Sequence, residues 1–287
     1  MKKLSIIILN YNTKDLLSNC LDSLYAARNE VDFETIVVDN ASSDGSTDMV
    51  ESKFKWVTLI KSDKNIGFSA GNNLAKSVAK GKYILFLNSD TLMKKGTLKR
   101  CVQYLEDNEE VGAMTCRTLL PDGSDDKDAR RSFPTPWVAL THFSYLDRIF
   151  PTSKLFSKYW YGYLSTDVEH EVDVLQGAFF LSPKSILDEV GWFNEEYFLN
   201  GEDIDLSWCI KNKGWKIIYY PDVSIIHIKK GTKKTNRKLQ VEMSGVKAME
   251  IFYRKRMWMR YPLLVNWFVM MGIMAMKVIR GALHFLK

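Results

Sequence analysis

The chain lacks the cysteine spacing of a metal-binding or cross-linked protein. Cys20, Cys101, Cys116 and Cys209 stand far apart with no C-x-x-C pair, which indicates neither a zinc site nor a disulfide framework and fits a reducing cytoplasm. A cleavable leader is not predicted: Met1-Lys2-Lys3 and the apolar Leu4 to Leu9 imitate one, but the run stops at Asn10, too short for an h-region. That run reads instead as a first buried strand. Internal repeats and low-complexity tracts are absent, and no helix-turn-helix or basic sheet with interleaved aromatics occurs, so no nucleic-acid partner is expected. The apolar run Tyr261 to Met276, interrupted by Pro262 and Asn266, has 16 residues, short of the roughly 20 of a comfortable membrane span.

What is present suffices for a full core. Of 287 residues, 46% are apolar and 13% aromatic, which fits one large domain with an appendage. Forty Lys and Arg against 34 Asp and Glu give a net charge of +6, with the excess mostly after Ile228, so an anionic partner is expected near the C-terminus.

Ser5 to Leu9, Thr35 to Val38 and Tyr83 to Leu87 are apolar without alternation, the pattern of central strands covered on both faces, and Val57 to Lys61 is a weaker member of the series. Helical segments at Lys14 to Ala27, Ser69 to Ala79 and Lys95 to Glu106 lie between them, and this order predicts an open α/β domain with a mostly parallel sheet. Pro121 to Glu171 has no clear periodicity, and a segment of that length is usually functional or mobile. Beyond it the pattern predicts a strand at Val174 to Leu181, helices at Lys184 to Val190 and from Gly201 to near Gly214, and strands at Trp215 to Tyr220 and Val223 to Ile228.

Ligands of open α/β sheets bind at the carboxyl ends of the strands. Here Asn10 and Asn12, Asp39 and Asn40, Asp63 and Asn65, and Asn88 and Asp90 follow successive strands. Any one pair could simply start a turn, whereas four in series point to a shared cleft. Asp90, at the end of the most apolar strand, is a candidate ligand for Mg²⁺ or Mn²⁺, which need only one or two protein oxygens when phosphate and water complete the shell. Glu202, Asp203 and Asp205 open a helix after Asn200-Gly201. Their competing readings are compensation of the helix dipole, with Asn200 as cap, and a general base that is ionised at neutral pH.

Five ordered motifs resemble family 2 glycosyltransferases of GT-A fold, nearest the rhamnosyltransferase-like branch: Ser5 to Asn12, Val37 to Ser46, Asn65 to Asn73, Asn88 to Thr91 and Gly201 to Leu206. The resemblance covers about Lys3 to Thr232. It implies a catalytic domain of residues 1–232, with a nucleotide-sugar half of about 1–120 and an acceptor half of about 121–232, followed by a basic helical tail at 233–287. It further implies that Asn10, Asn12, Asp39, Asn65, Gly67, Asn72 and Asn88 shape the nucleotide site. Asp90 would hold a divalent metal, His227 would sit near the diphosphate or metal, and Asp203 would be the base of an inverting displacement. Glu202 and Asp205 would serve the acceptor or support the site. For His227, the plain alternative is a strand-ending histidine with a satisfied hydrogen bond.

This sequence departs from the family pattern at three positions. Asn88 replaces the first aspartate of the D-x-D metal motif, Cys209 stands where relatives often carry arginine, and Asn194 replaces a common aspartate. The expected partners are a nucleoside diphosphate sugar, with deoxythymidine diphosphate rhamnose as one candidate, and a lipid-linked or glycan acceptor. In the tail, Lys229 to Lys238 and Lys277, Arg280, His284 and Lys287 surround apolar helical sequence, which predicts a peripheral or monotopic helix on the anionic cytoplasmic face of the membrane. A homodimer interface or a helix packed on the core is the competing reading. At the level of function, the competing classes are a non-catalytic sugar-nucleotide or glycan-binding protein and a two-carboxylate glycoside hydrolase.

Overall fold

A computed structural model of the protein describes residues 2–229 and 239–285. The basic cluster at residues 230–238, the boundary drawn at residue 232 and Lys287 lie outside the described residues.

The first half alternates strands with helices: β1 (Leu4–Asn10), α1 (Lys14–Ala26), β2 (Phe33–Asp39), α2 (Ser46–Lys53), β3 (Thr58–Lys61), α3 (Phe68–Asn73), β4 (Tyr83–Leu87), β5 (Thr91–Met93), α4 (Thr97–Asp107) and β6 (Val111–Leu119). Strand β1 shows why its sequence is continuously apolar. Leu4, Ile6 and Ile8 pack with Leu17, Leu21 and Leu24 of α1 on one face, while Ile7 joins Phe86, Phe180 and Trp192 on the other. A strand buried on both faces has no wet side to mark with polar residues. Strands β3, β2, β1 and β4 run parallel in that order, with Asn10 beside Asp39 in the register, so their carboxyl ends share one edge.

Beyond β4 the sheet becomes mixed. The segment expected to be irregular holds short elements: β7 (Arg130–Arg131), α5 (Pro136–Phe143), α6 (Leu146–Ile149) and β8 (His170–Glu171). They are too brief to show a period, although α5 carries a start signal in Thr135, whose side chain accepts from the Val138 amide, and in Pro136 at the first turn. The strand expected from Val174 to Leu181 is two pieces, β9 (Val174–Leu175), which pairs with β7, and β10 (Phe179–Pro183), which lies antiparallel to β4. Helices α7 (Lys184–Val190) and α8 (Glu202–Asn212) follow. The two strands expected next form one, β11 (Lys216–His227), whose register with β6 shifts between Tyr220 and Ser224. Pro221 lies in that gap, where it has no N–H to give a ladder. The expected Ser69 to Ala79 helix is α3 followed by a tighter 3₁₀ turn at Leu74–Ser77.

The tail consists of α9 (Leu239–Phe252), a wide turn at Tyr253–Met257, a tight turn at Trp258–Arg260 and α10 (Leu263–Phe285). Asn266, an interruption in the apolar run, closes this hairpin. Its amide donates to the Trp258 and Tyr261 carbonyls at 3.0 and 3.2 Å, and its oxygen accepts from the Tyr253 hydroxyl at 2.7 Å. The structure also corrects the apparent shortness of the run. The helix continues through Lys277 and Arg280, so that Leu263–His284, 22 residues, is long and apolar enough to cross a bilayer by length and composition alone. Lys277 does not face outward alone, because it pairs with Glu250 of α9.

Candidate active site

At the shared strand edge the expected polar residues meet and bind one another. Asn10 donates to Asp39 Oδ2 at 2.8 Å and to Ser42 Oγ at 3.0 Å, and the Ser42 amide donates to Asp39 Oδ1 at 2.8 Å. Asn12, in a left-handed conformation at φ 54°, accepts from the Ser43 amide at 2.8 Å. Asp39 and its neighbours thus shape the loop after β2. Asn40 extends the network to the next strand end, donating to Asn65 Oδ1 and the Gly67 carbonyl and accepting from the Ile66 amide. Gly67 has φ +89°, and a Cβ there would lie 2.5 Å from the Phe198 carbonyl oxygen, so this turn admits only glycine. Asn72 is buried and spends its amide on the Phe68 carbonyl, so the structure ties it to its own helix.

A second group forms where β5 pairs with β11. His227 stands between two carboxylates, its Nε2 3.2 Å from Asp90 Oδ1 and its Nδ1 3.0 Å from Asp126 Oδ2. Lys229 closes the far side, 2.7 Å from Asp126 and 2.5 Å from Asp128. Burial alone would lower the His227 pKa, but the hydrogen bonds and charges of Asp126 and Asp90 outweigh it and hold the imidazole at about 9. Asn88 closes the turn that contains Asp90 through its backbone carbonyl, which accepts from the Thr91 hydroxyl and amide. Asp126, Asp128 and the role of Lys229 escaped the sequence reading. The acidic run after Gly123 was the available signal, but its partner lies 101 residues away.

Toward a divalent cation this group offers one carboxylate, Asp90, and one imidazole, His227, whose retained proton the ion would have to displace. The Asp90 carboxylate and the His227 imidazole converge, and Asp126 fixes the other ring nitrogen, as a carboxylate behind a metal-binding histidine does. Among the described residues no three acidic, thiol or imidazole groups gather for a cation. Phosphate and water oxygens would complete such a shell, the arrangement usual for Mg²⁺.

The third group is the start of α8. Gly201, at φ +85°, precedes the helix, and Asn200 does not cap it: its side chain donates to Ser244 of α9. Asp203 Oδ2 lies 2.5 Å from Arg131 Nη2, and its Oδ1 accepts from the Ile204 amide at 2.8 Å. Burial opposes the Arg131 charge, yet the adjacent Asp203 carboxylate raises its pKa above the ordinary value. Glu202 behaves differently from its neighbour. Buried, and repelled by Asp203, its carboxyl is pushed up to about 8, and its Oε2 has no protein partner. Asp205 turns to the tail, accepting from Arg256 through both oxygens at 2.7 and 3.1 Å, with Arg256 Nη2 3.2 Å from Cys209 Sγ. The departure at Cys209 is therefore met by a guanidinium from another element.

A short path joins the last two groups. Asp126 supports His227, and five residues on, across a 3₁₀ turn, Arg131 of β7 holds Asp203.

A parallel half-sheet with polar strand ends, extended by antiparallel strands that bring in a histidine and a carboxylate-bearing helix, defines an α/β protein of the GT-A class. The chain belongs to glycosyl transferase family 2, whose model matches residues 5–190. A poly(ribitol-phosphate) beta-glucosyltransferase from Bacillus spizizenii is 38% identical over 112 residues, covering 37% of this chain and 18% of that protein. N-acetylglucosaminyl-diphospho-decaprenol L-rhamnosyltransferase from Mycobacterium tuberculosis is 24% identical over 239 residues, 79% of this chain and 76% of the relative. Among solved structures, a Pyrobaculum calidifontis mannosyltransferase in complex with GDP-Man and Mn²⁺ superposes with TM-score 0.57 at 20% identity, over 89% of this chain and 65% of that one. Staphylococcus aureus TarS in complex with UDP gives 0.56 at 18% identity, over 87% and 65%. Both structural likenesses carry the GT-A fold.

Proposed function

We propose that this chain is an inverting, metal-dependent glycosyltransferase that moves a sugar from a nucleoside diphosphate to a lipid-linked or polysaccharide acceptor of the cell surface, at the cytoplasmic face of the membrane. The observation that carries the reading is the pairing of the Asp90–His227–Asp126 group with the Arg131–Asp203 pair through residues 126–131. The loops built by Asn10, Asp39, Asn40, Asn65 and Gly67 would receive the nucleoside. Asp90 and His227 would hold Mg²⁺ or Mn²⁺, which when bound would offset the charge on the departing diphosphate. Asp126 keeps His227 oriented. The acceptor hydroxyl attacks the anomeric carbon as the bond to the diphosphate oxygen breaks, and its proton passes to Asp203. Each Asp203 oxygen retains a lone pair beyond its bond to Arg131 or to the Ile204 amide, so the pair orients the base without exhausting it. A single displacement inverts the anomeric centre.

The division into a catalytic domain at 1–232 and a tail at 233–287 belongs to the same reading. Support for a lipid-linked acceptor comes from the rhamnosyltransferase relative, named for N-acetylglucosaminyl-diphospho-decaprenol, and from the exposed apolar side of α10, where Leu263, Leu264, Trp267, Phe268 and Val278 face solvent. Rhamnose carried on deoxythymidine diphosphate is the first donor to try. The decisive experiment measures donor hydrolysis and transfer with Mn²⁺ or Mg²⁺ across a panel of nucleotide sugars, with nucleotide affinity measured in parallel. Asp203→Asn is expected to lose turnover by about a thousandfold, the scale of a removed general base and its orienting contacts, while still binding nucleotide. Binding without turnover from any donor would favour a sugar-nucleotide-binding protein, the reading that Asn88 motivates.

A further inference from the structure

A second apolar surface lies far in sequence from α10. Helices α5 and α6 meet at Tyr145, whose φ of 60° breaks the chain sharply, and the strand-less segment after α6 folds back on them. Trp137 Nε1 donates to the Leu155 carbonyl at 3.1 Å, and the Phe156 ring touches both Trp137 and Phe150, at 6.2 and 5.3 Å between centroids. These contacts make one surface of three short pieces of chain. On it Ile149 is 63% exposed, Leu140 58% and Leu155 57%, with Trp137, Phe143 and Phe150 each nearly half exposed. Scattered apolar side chains are ordinary on a protein surface, but a contiguous cluster marks a contact.

Within the stretch of chain that forms the cluster, the exposed charges have one sign. Between Pro136 and Tyr163 the sole acid, Asp147, is buried against His142 at 2.6 Å, whereas Arg148, Lys154 and Lys158 are exposed. Aromatic and aliphatic side chains bordered by exposed cations suit the boundary of an anionic bilayer, where the rings sit at headgroup level and the cations meet lipid phosphates.

We propose that the surface formed by Trp137, Leu140, Ile149, Phe150 and Leu155 is a second membrane contact, which inserts shallowly into anionic lipid and works together with α10. It deepens the membrane reading above and rests on it. Two contacts from separate parts of the chain would restrict its tilt on the lipid surface more than α10 would alone. The open edge of the sheet then has a fixed attitude to the lipid surface, from which a lipid-linked acceptor would come.

The test uses the full chain with a single added cysteine, Leu155→Cys or Val278→Cys, labelled with an environment-sensitive fluorophore and corrected for labelling of the unaltered protein. Vesicles are either phosphatidylglycerol with phosphatidylcholine in equal parts, or phosphatidylcholine alone. The Leu155→Cys emission is expected to rise at least twofold and shift to the blue on the anionic vesicles, and to change much less on the neutral ones. In co-sedimentation, the exposed-site variant Leu140→Glu/Ile149→Glu is expected to lower the vesicle-bound fraction at least threefold while its melting temperature stays at that of the unaltered chain. A silent Leu155→Cys label beside a responsive Val278→Cys label overturns this inference and leaves the α10 contact standing. If both labels are silent, the membrane reading itself falls. A Leu155→Cys signal that grows with protein concentration in the absence of vesicles assigns the surface to a second copy of the chain and also overturns the inference.

Discussion

Asp126 shows how much of this site depends on one side chain. It takes the His227 Nδ1 contact and the Lys229 ammonium on its two oxygens, and these bonds hold its carboxyl below the usual range despite burial. Replacing it by asparagine keeps the shape but removes the charge that fixes the imidazole. Asp126→Asn is expected to raise the Mn²⁺ concentration for half-maximal activity by about ten- to a hundredfold, the usual cost of losing such a support, with nucleotide affinity in the absence of metal unchanged. An unaltered Mn²⁺ requirement would remove His227 from the cation site. Glu202 permits a second test, in pH. Its carboxyl rises from an ordinary 4.5 to about 8 in the folded chain, because of burial first and Asp203 second. The folded state therefore binds the extra proton between these values, so the stability Glu202 contributes is full below 4.5 and is lost as pH rises through about 8. Glu202→Gln cannot ionise, and its melting temperature is expected to fall less than that of the unaltered chain between pH 5 and pH 9, by about 2 °C or more. Parallel melting curves for the two proteins would show that Glu202 is not buried as a neutral acid.

At the scale of elements, the turn before α3 ties the strand-end loops to the segment that leads into α8. Phe68 N donates to the Phe198 carbonyl at 2.6 Å, and a Cβ on Gly67 would collide with that carbonyl as well as adopt an unfavourable φ. Gly67→Ala is expected to cost about 2 kcal/mol or more in chemical denaturation, since strained backbone and steric overlap add, and to weaken nucleotide binding; a loss under about 0.5 kcal/mol would show that the loop can shift freely. Gly67 was marked in the sequence only through the resemblance of Asn65 to Asn73 to a family motif. The parallel strands were legible directly: double-sided burial writes itself into β1, β2 and β4 as unbroken apolar runs. Strand β6 was not, since Gly112, Thr115, Cys116, Arg117 and Thr118 hide it, though all but Arg117 among them are buried. Nor was β7, whose two arginines become a strand only by pairing with β9. The site divides along the same line. Asp90, Asp203 and His227 stand at ends of regular elements, whereas Asp126 and Arg131 meet partners far away in sequence, and the acidic run after Gly123 does not say which residue it will face.

At the scale of the whole molecule, the tail is bound to the site rather than appended to it. Val246, Phe252, Tyr253 and Met257 pack with Phe133, Ile204 and Trp208, and Lys255 reaches Glu196. The charged link is Arg256 with Asp205, whose side chain is only 2% exposed and sits two residues from Asp203 on α8. A buried carboxylate that loses its partner is left with its desolvation uncompensated, a cost of about 3 kcal/mol or more. Arg256→Met is therefore expected to lower the melting temperature by roughly 6–10 °C, whereas Arg254→Ala, which removes an exposed pair with Glu250 four residues away, should stay within about 1 °C. The diagnostic is the combination Arg256→Met/Asp205→Asn. If the loss arises from a stranded charge, neutralising Asp205 restores a large part of it, because an amide is much cheaper to bury than a carboxylate. If it arises instead from lost packing of the arginine stem, the double variant melts no higher than Arg256→Met. Recovery of stability in the double variant without recovery of transfer would then separate two functions of this link, holding the tail in place and orienting the first turn of α8.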